Sequence, residues 1–144
     1  MIKRTSSVII LNRKMQILLM LRDDKPGILY PGLWGFIGGH AKAGEKPLDT
    51  ATREVKEETG LKITKSRLRE LVSIKTQTKI REIFLVRGSW KTRDVIRGEG
   101  QKISFIGLSK AELLPMSSYH RFVLTLLREY LNRSYGFEPN SRQK

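Results

Sequence analysis

The sequence predicts a single domain of mixed α+β structure, in which a mixed β-sheet lies between two helices. Three observations support this prediction. The chain has 144 residues, a length that suits one domain with a substantial core. Its hydrophobic fraction of 39% and aromatic fraction of 8% are typical of a globular protein rather than a disordered chain. Its apolar patterns follow the order strands, helix, strands, helix, without an internal repeat.

The first strands lie close to the N-terminus. Two short apolar runs, residues 6–11 and 16–21, predict a pair of buried strands joined by a tight polar turn. Residues 23–33 contain two Pro-Gly pairs, which favour a loop. A brief strand over residues 34–37 then leads to two consecutive glycines.

A helix is predicted over residues 47–59. Pro47 suits its first turn, where the missing N–H of proline costs nothing, and Gly60 suits the position that ends a helix. Apolar side chains at spacing i, i+3, i+7 form the stripe that we expect to face the sheet: Leu48, Ala51 and Val55.

The second half of the chain predicts three more strands and a final helix. The strands are expected at residues 67–73, 80–90 and 102–108. The first two are joined by a hairpin connection at 76–79, and a long loop over 87–101 leads to the third. Ser117 is expected to cap the last helix. The apolar positions of that helix recur at helical spacing: Val123, Leu126, Leu127, Tyr130 and Leu131.

Composition narrows the class of protein. The absence of cysteine excludes a disulfide framework, a cysteine-ligated zinc site and a thiol nucleophile. No apolar run approaches the roughly 20 residues of a membrane span, and the run at 8–11 is too short for a secretory signal. We therefore expect a cytoplasmic protein without membrane contact, with its single domain over residues 1–134 and a frayed tail over 135–144.

The charge balance is the unusual feature of the composition. The net charge is +14, from 28 Lys and Arg against 14 Asp and Glu. Such an excess favours contact with polyanions, such as phosphorylated small molecules or nucleic acid. A solvated basic surface accounts for the same excess equally well.

Three glutamates of the predicted helix, Glu54, Glu57 and Glu58, follow one another at i, i+3 and i+4. At about 100° per residue, Glu58 borders the apolar stripe, Glu54 lies further round the helix and Glu57 further still. Carboxylates this close repel one another unless cations intervene, and their oxygens suit Mg²⁺. In isolation, a glutamate cluster on a helix is more often a solvated face.

Residues outside this cluster fit a metal site as well. Gly38 and Gly39 would let a backbone carbonyl approach a cation closely, because they lack a side chain. Arg53 and Glu45 could form an ion pair that fastens the preceding loop to the helix.

The spacing of these residues resembles the Nudix box of the MutT-like Nudix hydrolase family. The box reads G-x5-E-x7-R-E-U-x-E-E-x-G-U, where U is a bulky aliphatic residue. The chain matches it at every fixed position, with Gly39, Glu45 and the run REVKEETGL at residues 53–61. Nine specified positions within 23 residues make the pattern highly specific. Ile37 departs from the usual lead-in, where many members have proline.

The resemblance implies an α/β/α sandwich and a hydrolase that uses Mg²⁺ or Mn²⁺ to break a phosphoanhydride bond. The implied substrate is a nucleoside diphosphate derivative: a nucleoside triphosphate, oxidised or not, or a nucleotide sugar, either of which would release a nucleoside monophosphate. By position, Glu57 and Glu58 would be metal ligands, helped by Glu54 and a carbonyl of Gly38 or Gly39. Glu45 and Arg53 would support the box.

The general base is left open between two carboxylates. Glu54 is one candidate, and Glu99 is the other, because many members of the family supply a glutamate from the loop before a late strand. Glu99 could instead be a fourth metal ligand or a solvated loop residue.

Four further side chains are candidates for substrate contacts: Tyr30, Trp34, Arg22 and His40. Tyr30 and Trp34 flank the Pro-Gly loop and could stack on a base, although Trp34 fits core packing better. Arg22 could meet phosphates or remain a surface charge, and His40 adjoins the glycine pair.

Two rival functions and one question of assembly remain open. The basic charge favours processing of RNA 5′ ends, which predicts binding that weakens steeply with salt. A nucleotide sensor without catalysis is the other rival, although the intact box argues against it. Homodimers are common in the family, so a homodimer is also open, but no interface stripe is evident.

Overall fold

The structure is a computed structural model that describes residues 2–135. The strands of this part are β1 Lys3–Asn12, β2 Gln16–Leu21, β3 Trp34–Gly35, β4 Ile37–His40, β5 Arg69–Lys75, β6 Lys79–Gly88 and β7 Lys102–Gly107. The helices are α1 Pro47–Thr59, α2 Leu108–Ala111 and α3 Ser118–Tyr135, with short 3₁₀ turns at Lys65–Arg67 and Thr92–Asp94. The expected frayed tail lies outside the described residues, except for Tyr135, which ends α3.

The strands form one mixed sheet, as predicted. The order along it is β3-β2-β1-β6-β5, with β4 paired to β1 and β7 paired to β2. The β1–β6 pair is parallel and the other pairs are antiparallel. The parallel register sets Lys3 opposite Lys79 and Thr5 opposite Arg81. β1 is therefore longer than the predicted strand, since its polar first residues join the sheet through backbone pairing.

Each face of the sheet carries one long helix and one hydrophobic cluster. Ile9 and Leu11 of β1 belong to the cluster that contains α3. Val8 and Ile10, which point to the opposite face, belong to the cluster that contains α1. The predicted arrangement of a mixed sheet between helices is confirmed.

The two long helices agree with the sequence to different degrees. α1 has the predicted bounds, and Gly60 ends it with φ 76° and an N–H bond to the Lys56 carbonyl. On α3, the N–H of His120 donates to Ser117 Oγ at 3.2 Å, as a cap should. The predicted stripe of α3 is wrong at one position, since Leu124 is buried and Leu126 is only half-buried.

Several strand ends also differ from prediction. The strand expected at 34–37 is two strands, β3 and β4, which pair with different neighbours on either side of Phe36. β6 ends at Gly88 instead of residue 90, and β5 runs two residues later than predicted. No helix within residues 2–135 combines the length and apolar character needed to cross a membrane.

Candidate active site

The three glutamates of α1 lie at graded depths along the edge of the helix. Glu58 is 2% exposed. The side chains of Glu54 and Glu57 are 14% and 53% exposed. This is the order that the helical angles predict, because Glu58 adjoins the stripe of Ala51 and Val55, both of which are fully buried.

Glu58 has a buried carboxyl group in which only one of the two oxygens accepts a backbone hydrogen bond. Its Oε1 accepts a hydrogen bond from the Gly38 N–H at 2.8 Å. Its Oε2 is buried without a hydrogen-bond partner. Burial, followed by the side chain of Glu99, raises the pKa of Glu58 to about 9. Glu58 and Glu99 therefore lie together although they are far apart in sequence.

Arg53 connects the other carboxylates of this region. Its Nε and Nη2 donate to the two oxygens of Glu45 at 2.8 and 2.9 Å. Its Nη1 donates to Glu54 at 2.9 Å and to Glu57 at 3.2 Å, and Nη2 also reaches the His40 carbonyl at 3.0 Å. The guanidinium thus ties α1 to the loop that follows β4 and sets the orientation of two glutamates.

Glu45 is held in its ionised form by this contact. The hydrogen bond from Arg53, the Lys42 N–H and the Thr50 hydroxyl together hold the pKa of Glu45 well below its usual range. The pKa of Arg53 is raised for the reciprocal reason, with Glu45 as the largest cause. Thr50 was not evident from the sequence, although it lies one helical turn beyond the N-terminal cap of α1, where its hydroxyl reaches Glu45 Oε1 at 2.7 Å.

Two glycines permit close packing around the glutamates. A Cβ on Gly39 would lie 2.5 Å from the Glu54 carboxyl, and one on Gly98 would overlap the Glu57 carbonyl. The N–H of Gly98 donates to the Glu58 carbonyl at 2.9 Å. This contact fastens the loop that carries Glu99 to the end of α1. Sequence reasoning missed Gly98, since nothing local predicts which helix its loop touches.

The donor set fits a divalent cation. Carboxylate oxygens are the hard ligands that Mg²⁺ and Mn²⁺ favour, and the unpartnered Glu58 oxygen is one that a cation would satisfy. Burial also raises the pKa of Glu54, although the hydrogen bond and charge of Arg53 act in the opposite direction. Among residues 2–135, no three acidic or histidine side chains are arranged as a ready-made metal cluster. A cation here would therefore need water or substrate oxygens to complete its shell, as is usual for Mg²⁺.

A cavity of about 120 Å³ lies on the α3 side of the sheet, next to the glycine pair of β4. Gly38 and Gly39 line it, so the same glycine pair borders both the cavity and the carboxylates. Three of the predicted substrate residues, Arg22, Tyr30 and His40, line it as well. Trp34 is outside the lining and packs against the core cluster of α3.

Much of the cavity wall was not among the four side chains expected to contact the substrate. Phe36, Tyr119 and His120 form its aromatic side, with ring centroids 5.0 to 5.1 Å from the imidazole of His120. Tyr30 joins them at 5.1 Å, and its backbone has φ 55°, a left-handed conformation that is costly for a bulky residue. Burial, and then the positive charge of Arg22 and Arg81, lowers the pKa of His120 to about 4. His120 is therefore neutral at physiological pH.

The sequence resembles a protein family and a relative from Bacillus subtilis. The family model described as the NUDIX domain matches residues 1–125. A putative 8-oxo-dGTP diphosphatase of Bacillus subtilis is 45% identical over 53 residues, which cover 37% of this chain and 32% of that protein. The match thus spans about a third of that relative's length.

Solved structures share the fold at low sequence identity. The MutT protein of Methanosarcina mazei is 23% identical with a TM-score of 0.70, over 89% of this chain and 94% of that one. The NUDIX domain of Shewanella oneidensis NrtR, solved with ADP ribose, is 17% identical with a TM-score of 0.73, over 91% of this chain and 89% of that one.

Proposed function

The chain belongs to the NUDIX domain family, and on that premise we propose that it is a metal-dependent Nudix hydrolase. It cleaves a phosphoanhydride bond in a nucleoside diphosphate derivative and releases a nucleoside monophosphate. The observation that carries this proposal is the buried, unpartnered carboxylate oxygen of Glu58 beside Glu54 and Glu99.

In this proposal the carboxylates of α1 hold the cation. Glu57 and Glu58 are ligands, with Glu54 and a carbonyl of Gly38 or Gly39 as further donors. Mg²⁺ or Mn²⁺, when bound, supplies neutralisation of the diphosphate charge and a more acidic water. Arg53 is a positioning residue, since it holds Glu54 and Glu57 through hydrogen bonds and leaves their remaining oxygens available.

Two carboxylates remain candidates for the base that takes the proton of the attacking water. Glu54 is oriented by Arg53, and Glu99 is on the exposed loop that Gly98 fastens to α1. The variants Glu54→Gln and Glu99→Gln separate them through the dependence of kcat on pH. Removing the base abolishes the acidic limb of that profile, whereas removing a ligand raises the metal concentration required for half-maximal rate.

The substrate class belongs to the proposal as well, and two relatives suggest different classes. The oxidised nucleoside triphosphate in the name of the Bacillus subtilis relative supports one class, and the ADP ribose bound to the Shewanella oneidensis domain supports nucleotide sugars. A panel with 8-oxo-dGTP, dGTP and ADP ribose, each with Mg²⁺ and with Mn²⁺, tests both classes through released pyrophosphate or phosphate.

The same panel tests the mechanism through a double variant. Glu57→Gln with Glu58→Gln should abolish turnover without unfolding the protein, whereas Glu129→Gln on the exposed face of α3 serves as the matched control. Turnover that persists in the double variant would refute the roles given to these residues. If no nucleotide is cleaved but one raises Tm, the sensor function is the correct one.

One observation favours a second candidate, the processing of RNA 5′ ends. The net charge of +14 suits a polyanionic substrate. A 5′-triphosphorylated oligonucleotide in the same panel tests this function, which predicts a steep fall in binding with salt.

A further inference from the structure

The cavity next to Gly38 and Gly39 is lined by side chains of one charge sign only. Four of its fourteen lining residues are basic: Lys3, Arg22, Lys79 and Arg81. None of the fourteen is Asp or Glu. None of these four basic side chains forms an ion pair with a carboxylate of residues 2–135. The cavity therefore concentrates positive charge that the described protein leaves uncompensated.

Strand register brings three of these side chains together. Lys3 and Lys79 are directly opposite each other in the parallel β1–β6 pair, and Arg81 is on the same face two residues further along β6. Like charges in opposite positions on neighbouring strands destabilise a sheet. An anion between them would remove that repulsion, so the arrangement suits a bound anion better than an empty surface.

Arg81 is oriented by groups that do not neutralise it. Its Nη1 donates to the Tyr30 hydroxyl at 3.1 Å, and its guanidinium lies 4.0 Å from the centroid of the Tyr119 ring. Neither contact is with a carboxylate, so the positive charge of Arg81 is not neutralised. A guanidinium held in one orientation is a strong phosphate ligand, because its N–H groups match the spacing of phosphate oxygens.

Lys3 and Lys79 lie further along their strands from the glycine pair than Arg81 does, because Arg81 is opposite Thr5 in the parallel register. Gly38 and Gly39 pair with Ser7 and Ser6 of β1, and Lys3 precedes Ser6 by three residues. At about 3.3 Å per residue, Lys3 is roughly 10 Å along the strand from the glycine pair. A diphosphate held beside the glycines therefore leaves the Lys3 end of the cavity for another group.

We propose that Lys3, Lys79 and Arg81 bind a second phosphate group of the substrate, separate from the diphosphate that is cleaved. This inference rests on the proposed function and narrows its substrate class. The substrate is a nucleotide derivative that carries an additional phosphate ester on its nucleoside, and the rings of Tyr30, Phe36 and Tyr119 in the same cavity offer apolar contact to the nucleoside.

Calorimetry with uncleaved ligands tests the proposal independently of turnover. The 5′-monophosphates of adenosine and guanosine are compared with the corresponding 3′,5′- and 2′,5′-bisphosphates, all in the presence of Mg²⁺. For at least one base, we expect a bisphosphate to bind at least about tenfold more tightly than the monophosphate, because the second phosphate adds charge-assisted hydrogen bonds. A 5′-phosphorylated dinucleotide distinguishes the two sources of the second phosphate: a preference for it over the bisphosphate indicates an RNA end, and the reverse indicates a small nucleotide.

Variants identify the side chains that respond to the second phosphate. Lys79→Gln and Lys3→Gln, on the rim of the cavity, should each remove most of the bisphosphate's advantage and leave monophosphate affinity within about twofold. Arg81→Gln should remove the advantage completely. Exposed basic residues on other surfaces, Lys110→Gln and Arg93→Gln, are the matched controls and should keep it.

Two results would overturn the inference. One is equal affinity for mono- and bisphosphates, or no measurable binding of any bisphosphate. The other is an equal loss for both ligands in the Lys79 variant, which would mean general attraction and not a second phosphate site. The proposed function fails separately, through the absence of nucleotide hydrolysis in the substrate panel, so the two failures are distinguishable.

Discussion

Replacing Glu58 with glutamine should stabilise the metal-free protein while it removes activity. Glutamine has the same shape, keeps an oxygen for the Gly38 N–H and carries no charge to bury. The carboxyl of Glu58 has a pKa of about 9 in the folded chain, against 4.5 as its ordinary value. Below pH 4.5 the carboxyl is protonated in both states, and its contribution to stability is complete. Between pH 4.5 and about 9, the unfolded chain loses the proton that the folded chain keeps, so stability falls as pH rises.

The size of the effect follows from the same numbers. At pH 7 the unfolded carboxyl has been ionised over about 2.5 pH units, and each unit is worth about 1.4 kcal/mol. Glu58→Gln should therefore raise the free energy of unfolding of the metal-free protein by up to about 3 kcal/mol at pH 7. At pH 4.5 the gain should nearly vanish. Glu57→Gln is the matched control, because the more exposed Glu57 side chain should change stability by less than about 1 kcal/mol.

Urea unfolding in EDTA, at several values between pH 4.5 and 8.5, measures this difference directly. Saturating Mg²⁺ should then stabilise the wild type much more than the variant, because the cation binds only the folded chain. A Glu58→Gln protein that is less stable than wild type at pH 7, or a difference that does not change with pH, would refute the reasoning.

Three other predictions concern the supports of the site. Arg53→Ala should lower the free energy of unfolding by about 2 kcal/mol and reduce kcat, because it releases three carboxylates. Arg133→Ala, in the exposed ion pair on α3, is the control and should do neither. Equal urea midpoints for the two variants would contradict this. Gly98→Ala should reduce kcat, because the added Cβ overlaps the Glu57 carbonyl and displaces the loop that carries Glu99. Gly107→Ala is the control and should keep the full rate, since its added Cβ meets no atom within 4 Å. Equal rates for the two variants would exclude this role for the loop. In the folded chain the pKa of His120 is about 4, against 6.5 as its ordinary value. The free energy of unfolding should therefore fall by up to about 3 kcal/mol as pH drops from 6.5 to 4. Urea unfolding of His120→Asn should lack this dependence on pH, and the same dependence in both proteins would assign it to other groups.

The sequence predicted the local part of the site well. The bounds of α1 follow from Pro47 and Gly60, and the burial of Glu58 follows from its angle to the apolar stripe. These features depend on residues a few positions apart, where helix geometry is nearly constant. The place of Glu99 beside Glu58 was accessible only through the family resemblance, because the contact joins a loop to a distant helix.

The cavity wall could not be predicted for a related reason. Lys3 and Lys79 are 76 positions apart, and they meet only because β1 and β6 pair in parallel with that register. No local pattern specifies a parallel register between distant strands. The stripe of α3 was predicted except at one position, where Leu124 packs in the core cluster in place of Leu126.

The proposed hydrolysis depends on a divalent cation held by the glutamates of α1, and a Mn²⁺ titration followed by electron paramagnetic resonance measures that binding. We expect the wild type and Glu129→Gln to deplete free Mn²⁺ equally. The protein with Glu57→Gln and Glu58→Gln should remain folded and should not deplete it. Equal depletion by the folded double variant would show that these glutamates do not bind the cation.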